Sequence, residues 1–287
     1  MAETLPPVLS YAVIGGLFVL LLVLEGLRPL RRTVEPKPRR VARNLGLAGL
    51  GLAVLNLIQM PLLLPAAEWA RREHFGLLHW VALPRAVEVA AAVLLLDYTL
   101  WHWHWLTHRV PFLWRFHLVH HVDLDMDAST ALRFHFGELA LSVPYRLMQV
   151  AVIGADTFAV AVWQLLLTAS ILFHHSNLRL PAGLERVLVR VVVTPRMHGI
   201  HHSDYENETN SNWSSLLSAW DYLHGTLVLS VPQRAIGIGV PSYRDAREVR
   251  FVKVLALPFR AQREDWRPQG GGLRRRDHPE PTRRLAE

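Results

Sequence analysis

The sequence predicts an all-helical, polytopic membrane protein with about four to five membrane helices, and three observations lead there. Of its 287 residues, 51% are hydrophobic and only 19% are charged, too apolar a balance for an ordinary soluble domain of this size. The apolar residues gather into five runs, the longest of which match the length of a bilayer-spanning helix. Sixteen histidines are far more than average, and the motifs that some of them form all fall on one side once the crossings are counted.

The first run, about Val8 to Leu27, is long enough to span as a helix. RPLRRTVEPKPRRVAR follows, Arg28 to Arg43, and its position between two apolar runs marks a cytoplasmic loop under the positive-inside rule. The preceding MAETLPP has no basic n-region and no small-residue cleavage site after the run, so a removed signal peptide is not expected. A second run, about Leu45 to Leu64, contains GLAGLG, Gly46 to Gly51. Inside an apolar 20-mer this reads as close helix packing rather than a phosphate loop. Trp69 to Trp80 is an aromatic-ended connection suited to the membrane interface, and a third run, about Val81 to Trp103, ends in WHWHW. Two shorter runs, about Leu139 to Val152 and Thr157 to Phe173, flank the turn residues IGAD and read as a helical hairpin.

With the arginine-rich loop inside, His104 to His135 and everything after His174 fall on the cytoplasmic face. From Asn177 the chain is polar and mixed, with helices expected around Gly183 to Val193 and Trp213 to Leu223. Residues 262–287, Arg-, Gly- and Pro-rich, are expected to be a disordered basic tail. The division expected is 1–80 for the first membrane helices and basic loop, 81–230 for a catalytic domain, 231–261 for an extension, then the tail.

The net charge of +7 could suit nucleic acid, but the arginines sit between apolar runs and in the tail, so the membrane explains them better. There is no cysteine, which excludes disulfides, zinc ribbons and iron–sulfur ligation. Any tightly held metal must use His, Asp or Glu.

His104 and His108 form H-x-x-x-H; His117, His120 and His121 form H-x-x-H-H, and His198, His201 and His202 repeat it. On a helix, positions i, i+3 and i+4 share a face, so each motif presents its imidazoles in one direction. Packed imidazoles desolvate and repel one another when protonated unless something shares their lone pairs, and a divalent metal does. His74, His79, His278, His102 and His224 read instead as core or interface residues. HExxH and Glu-x-x-His pairs are absent, one tetrahedral zinc takes four ligands at most, and a bis-histidine haem uses two. Two metal ions with four to five nitrogens each account for the number, held in a cytoplasmic helical cap.

From about Asp97 to Thr226 the chain resembles the fatty acid hydroxylase / sterol desaturase superfamily of membrane di-iron oxygenases. The resemblance rests on HWLTH (104–108), LWRFHLVHH (113–121), TALRFH followed by Phe136 and GE (130–138), HSNLRLP (175–181), TPRMHGIHHSD (194–204) and WDYLHGT (220–226). Trp105, Phe136, Trp213-Ser214 and His224 depart from residues frequent in that family. The resemblance implies metal ligands at His104, His108, His117, His120, His121, His198, His201 and His202, and adds His135 and His175. His174 is placed as a supporting residue.

By the same resemblance, two iron ions and O2 would hydroxylate or desaturate a fatty acyl, sterol or related lipid carbon. An unactivated C–H bond needs a redox-active metal, which zinc is not. Asp97, Asp123, Asp127, Glu138, Asp204 and Asp221 are candidates to orient the imidazoles through their other N–H. The aromatic helix ends from Trp101 to Trp114 suit a lipid entering sideways. Gly237 to Gly239 is no dinucleotide fingerprint, so electrons are expected from a separate ferredoxin or cytochrome b5-like protein with its reductase, docked on the basic cytoplasmic surface. Two other classes stay open: a histidine-rich membrane metal carrier or sensor without oxygen chemistry, favoured by intramembrane carboxylates such as Glu25, Glu88 and Asp97, and a hydrolytic dinuclear metalloenzyme.

Overall fold

A computed structural model describes residues 7–268 and 271–276. The opening residues of MAETLPP, the end of the tail and His278 lie outside them. Helices account for the described fold, and no strand is present among the described residues beyond three isolated bridges.

Helix α1 (Pro7–Leu27) is the first apolar run. α2 (Lys37–Val54) passes through a π-helical turn (Leu55–Gln59) straight into α3 (Met60–Arg72). The second run is therefore part of a longer helix, which begins inside the arginine-rich segment because Pro38 suits a first turn. The GLAGLG glycines act as expected in part. A Cβ on Gly46 would meet the Phe251 ring at 3.0 Å and one on Gly51 would meet Leu139 at 2.8 Å, while Gly49 faces open space.

After a short 3₁₀ turn come α4 (Arg85–Arg109) and α5 (Pro111–His121), broken from each other at Val110 by the proline that follows. α6 (Phe136–Ile153) and α7 (Thr157–His175) form the hairpin. Gly154, at φ 75°, turns the chain, and the Asp156 carboxylate accepts from the Ala159 N–H to start α7. Short helices follow: α8 (Ala182–Leu188), α9 (Pro195–His201), α10 (Glu206–Thr209), α11 (Ala219–His224) and α12 (Phe251–Ala256). α11 is shorter than the Trp213 to Leu223 helix expected, because the Asp221 carboxylate takes the N–H groups of Trp213 and Ser214 and folds that stretch back as a loop.

Three stretches among the described residues are long and apolar enough to cross a membrane: Val8–Leu27, Lys37–His79 and Thr157–His175. α4 and α6, which complete the four to five crossings expected from the runs, carry Glu88 and Asp97, and Glu138 and Arg146, along their lengths and are not among the three. One apolar core joins α3, α4, α6 and α7 through Leu63, Leu96, Val150, Trp163 and Leu167. A second seats α5 and α12 against Leu47 of α2. The described part of the tail is docked: Arg274 and Arg276 lie over the Tyr205 ring and pair with Asp204 and Glu208.

Candidate metal centre

The histidine motifs meet at the ends of α4, α5, α7 and α9. Thr194 caps α9 and Pro195 opens it, so His198 and His201 fall within a single two-turn helix directed at α5 and α7. The imidazoles form two adjoining groups. His104, His108, His117, His121 and His201 bring ligand atoms within 4.8 Å of one another, and so do His120, His175, His198 and His202. The groups share a wall: the His121 and His202 rings stack at 4.3 Å.

Each H-x-x-H-H motif is therefore divided. His117 and His121 serve one group and His120 the other, whereas His198 and His202 serve the second and His201 the first. Helical geometry gives the reason. At about 100° per residue, i and i+4 lie about 40° apart while i+3 lies about 60° to the opposite side of i. A single broad face, as expected from the sequence, thus addresses two points. His135 joins neither group. Its Nδ1 accepts from the Gly137 N–H to cap α6, and its Nε2 lies 3.2 Å from the Leu255 carbonyl, so local backbone engages both nitrogens. His174 stays beside the site, with its ring 4.1 Å from that of His198.

The donor chemistry fits metal. His120 and His175 each direct Nδ1 at a backbone carbonyl, of Arg133 and Ile171, which can only accept. Both Nε2 atoms then carry lone pairs, yet they lie 3.0 Å apart. Two neutral rings so placed make no hydrogen bond, and a shared cation relieves the contact. His201 repeats the pattern, donating from Nδ1 to the Ser211 carbonyl while its buried Nε2 has no partner; the buried His108 Nε2 has none either. Burial holds His120, His121, His198 and His202 well below the ordinary histidine value, reinforced by neighbouring imidazoles, and His201 at about 3. Neutral imidazoles are the ligand form.

Of the six carboxylates considered, only Glu138 meets an imidazole, 2.8 Å from His117 Nδ1. Backbone carbonyls do that work elsewhere, including Trp213 for His104. Asp221 acts one step back by fixing Trp213, and Asp97 holds Leu217 and Trp220. Asp204 pairs with Arg244 and Arg274. Asp123 and Asp127 belong to an ion cluster that the sequence reading did not anticipate. Arg40 pairs with Asp125 and Asp127, and Arg43 bridges Glu35 and Asp123. Burial alone would raise the Asp123 carboxyl, yet the guanidinium groups of Arg133, Arg43 and Arg40 hold it below its ordinary value. The cluster fixes the segment after His121 against α2. On the other side Arg31 reaches the Pro195 carbonyl and Gln233, and a Cβ on Gly199 would strike its guanidinium. Half of the arginine-rich loop is thus internal mortar. Only the spacing of Asp123, Asp125 and Asp127 hinted at it, and such spacing reads equally as a solvated face.

Aromatic rings line the site. Phe134 stacks on His120 at 4.6 Å, and Trp114 lies 4.9 Å from His108 with its indole N–H on Asp265. His224 stacks on Trp101 at 4.0 Å, filling the place of a planar apolar ring.

An all-helical chain with membrane-length apolar helices and two convergent imidazole groups at their ends defines a histidine-rich, membrane-associated protein equipped for metal. Residues 89–226 match the fatty acid hydroxylase family model, in support of the superfamily that the motifs resemble. Among curated relatives, the chain is 32% identical to ornithine lipid hydroxylase OlsE of Rhizobium tropici over 187 residues, covering 65% of this chain and 54% of that protein. It is 27% identical to cholesterol 25-hydroxylase of Mus musculus, over 53% of this chain and 54% of that one. To alkylglycerol monooxygenase of Xenopus tropicalis the identity is 29%, over 46% and 28%. The chain spans about half the length of the first two of these relatives. No solved structure matches.

Proposed function

We propose that this protein is an O2-dependent di-iron monooxygenase that hydroxylates a C–H bond of a membrane lipid. The observation that carries the proposal is the pair of neutral imidazole groups, five and four strong, built from interleaved motifs. Relatives named as hydroxylases of an ornithine lipid and of cholesterol, and as an alkylglycerol monooxygenase, support oxygen insertion over desaturation and a lipid as substrate class.

In this reading His104, His108, His117, His121 and His201 hold one iron and His120, His175, His198 and His202 the other. Bound iron supplies O2 activation and the oxidising power that a C–H bond requires. The chain's own groups do the rest. Glu138 and the carbonyls of Arg133, Ile171, Ser211 and Trp213 fix ring orientation. Phe134, Trp114 and Trp213 exclude water around the rings. α4 and α6 complete four to five crossings, and the histidine site faces the cytoplasm in an integral, multi-pass membrane protein. A separate acidic ferredoxin or cytochrome b5-like donor with its reductase supplies electrons. Arg109, directly after His108 and 5.6 Å over the Trp213 ring, offers such a donor a basic contact close to the imidazoles.

The carrier reading loses its support, since the carboxylates it needs are locally satisfied. Glu25 pairs with Lys37 and accepts two backbone N–H groups, Glu88 meets Arg85, and Asp97 holds Trp220.

The test is lipid profiling under 18-O2 of membranes carrying the intact chain or His120→Ala. One labelled lipid product, absent from the variant, is expected. Metal uptake by the intact chain with no O2-dependent product would overturn the proposal in favour of a carrier.

A further inference from the structure

Three buried polar groups deep in the helix bundle have no partner, and the metal centre uses none of them. Arg146 on α6 has Nε and Nη1 buried without a hydrogen bond, and its guanidinium lies 5.3 Å from the centre of the Trp163 ring on α7. The Trp163 indole N–H is itself buried and unpartnered, as is Gln59 Oε1 at the end of the π-helical turn. The register of α2 and α6 puts Gln59 at the same depth. Gly51 meets Leu139, and Gln59 and Leu147 each follow by the same eight positions along helices that run the same way.

A guanidinium within an apolar bundle is costly unless an anion or fixed acceptors meet it, and the Trp163 ring face offsets only part of that cost. Intramembrane cations of this kind mark ligand or ion sites. Here the unpartnered donors are two guanidinium nitrogens and an indole N–H; Glu138 is the carboxylate whose charge reaches Arg146, and no ion pair joins the two among the described residues.

We propose that Arg146 and the Trp163 indole N–H form an internal oxyanion site for the carboxylate or phosphate end of an amphiphile lying within the bundle. A guanidinium presents paired donors that match two oxygens of either group. The same helix carries Glu138, which holds His117, and the eight positions between Glu138 and Arg146 correspond to roughly 12 Å along the axis. An amphiphile anchored at Arg146 therefore presents to the imidazoles a carbon well down its chain, not the one beside its acid group. This last step rests on the lipid oxygenase reading; the binding site does not.

The experiment uses the full chain in neutral detergent, with thermal unfolding followed as palmitate, hexadecyl phosphate or hexadecanol is added. Both anions should raise the transition and the alcohol should not, and whichever anion acts at lower concentration identifies the source of the oxyanion. Arg146→Gln should weaken the anion response at least about tenfold, as loss of a charge-assisted contact does, and Arg146→Lys should restore part of it. Trp163→Phe, which removes only the N–H, should weaken it less, and it keeps the test alive should Arg146→Gln not fold. Equal stabilisation by hexadecanol, or an undiminished anion response in both Arg146→Gln and Trp163→Phe, overturns the site. Metal content of each variant, expected at the intact level, separates failure of this site from failure of the metal centre.

Discussion

Glu138 and His135 stand within three residues of each other and have different parts to play. Glu138 meets His117 Nδ1 at 2.8 Å, whereas His135 spends its ring on the Gly137 N–H and the Leu255 carbonyl. Groups that orient a ligand imidazole typically change metal affinity by 10–100-fold when removed. Glu138→Ala should therefore weaken binding at the His117 group by about that factor in a competitive metal titration. His135→Ala should keep the full complement of metal by elemental analysis, while His120→Ala should lose metal. Metal loss in His135→Ala to the same extent as in His120→Ala would return His135 to the ligand set. The motif histidines were legible because their spacing has a geometric meaning. The partners of those histidines were not, since any residue's carbonyl can serve and composition carries no trace of it.

The element that matters most for the site is one that spacing alone assigned to the membrane surface. α2 begins with Arg40 and Arg43 buried against Asp123, Asp125, Asp127 and Glu35. Asp127 also caps the 3₁₀ turn Ala128–Leu132 by accepting from the Ser129 N–H. The segment that follows His121 is thereby locked to α2. Removing one partner of a buried ion pair strands the other charge and costs about 3–5 kcal/mol. Arg40→Met should lower the thermal transition accordingly and release metal from the His120 group. An unchanged transition would mean that the cluster is ornamental. From sequence the α6–α7 hairpin was readable from IGAD and its flanking runs. The extension of α3 to Arg72, past the end of the second run, was not, because Trp69 to Trp80 reads as a connection; Pro61 falls where a new helical segment can tolerate it.

At the scale of the whole molecule, Arg31 ties the first loop to α9 through the Pro195 carbonyl, so the loop and the histidine groups lie on one face however many times the chain crosses. The cysteine-free sequence makes this directly testable. Single cysteines at the exposed positions Arg32 and Arg234 should be labelled by an impermeant thiol reagent from the same, cytoplasmic side, and one at Val8 from the other. Labelling of Arg32→Cys and Arg234→Cys from opposite sides would contradict the arrangement. The lateral aromatic entrance read from Trp101 to Trp114 is divided in the fold: Trp101 is buried under His224, and Trp114 faces the imidazoles.

The sequence by itself determined that the chain is helical, apolar enough for a membrane, and supplied with imidazoles at helical spacing, because periodicity and composition are local properties. It also carried the resemblance to the fatty acid hydroxylase superfamily, since the motif histidines lie within the stretch that the family model matches. Only the tertiary structure decided that each H-x-x-H-H splits between two groups, that His135 stays out, and that the arginine loop turns inward. Those outcomes depend on which face of one helix meets which face of another. Residues far apart in the chain settle that when they pack, and no spacing within a single segment encodes it.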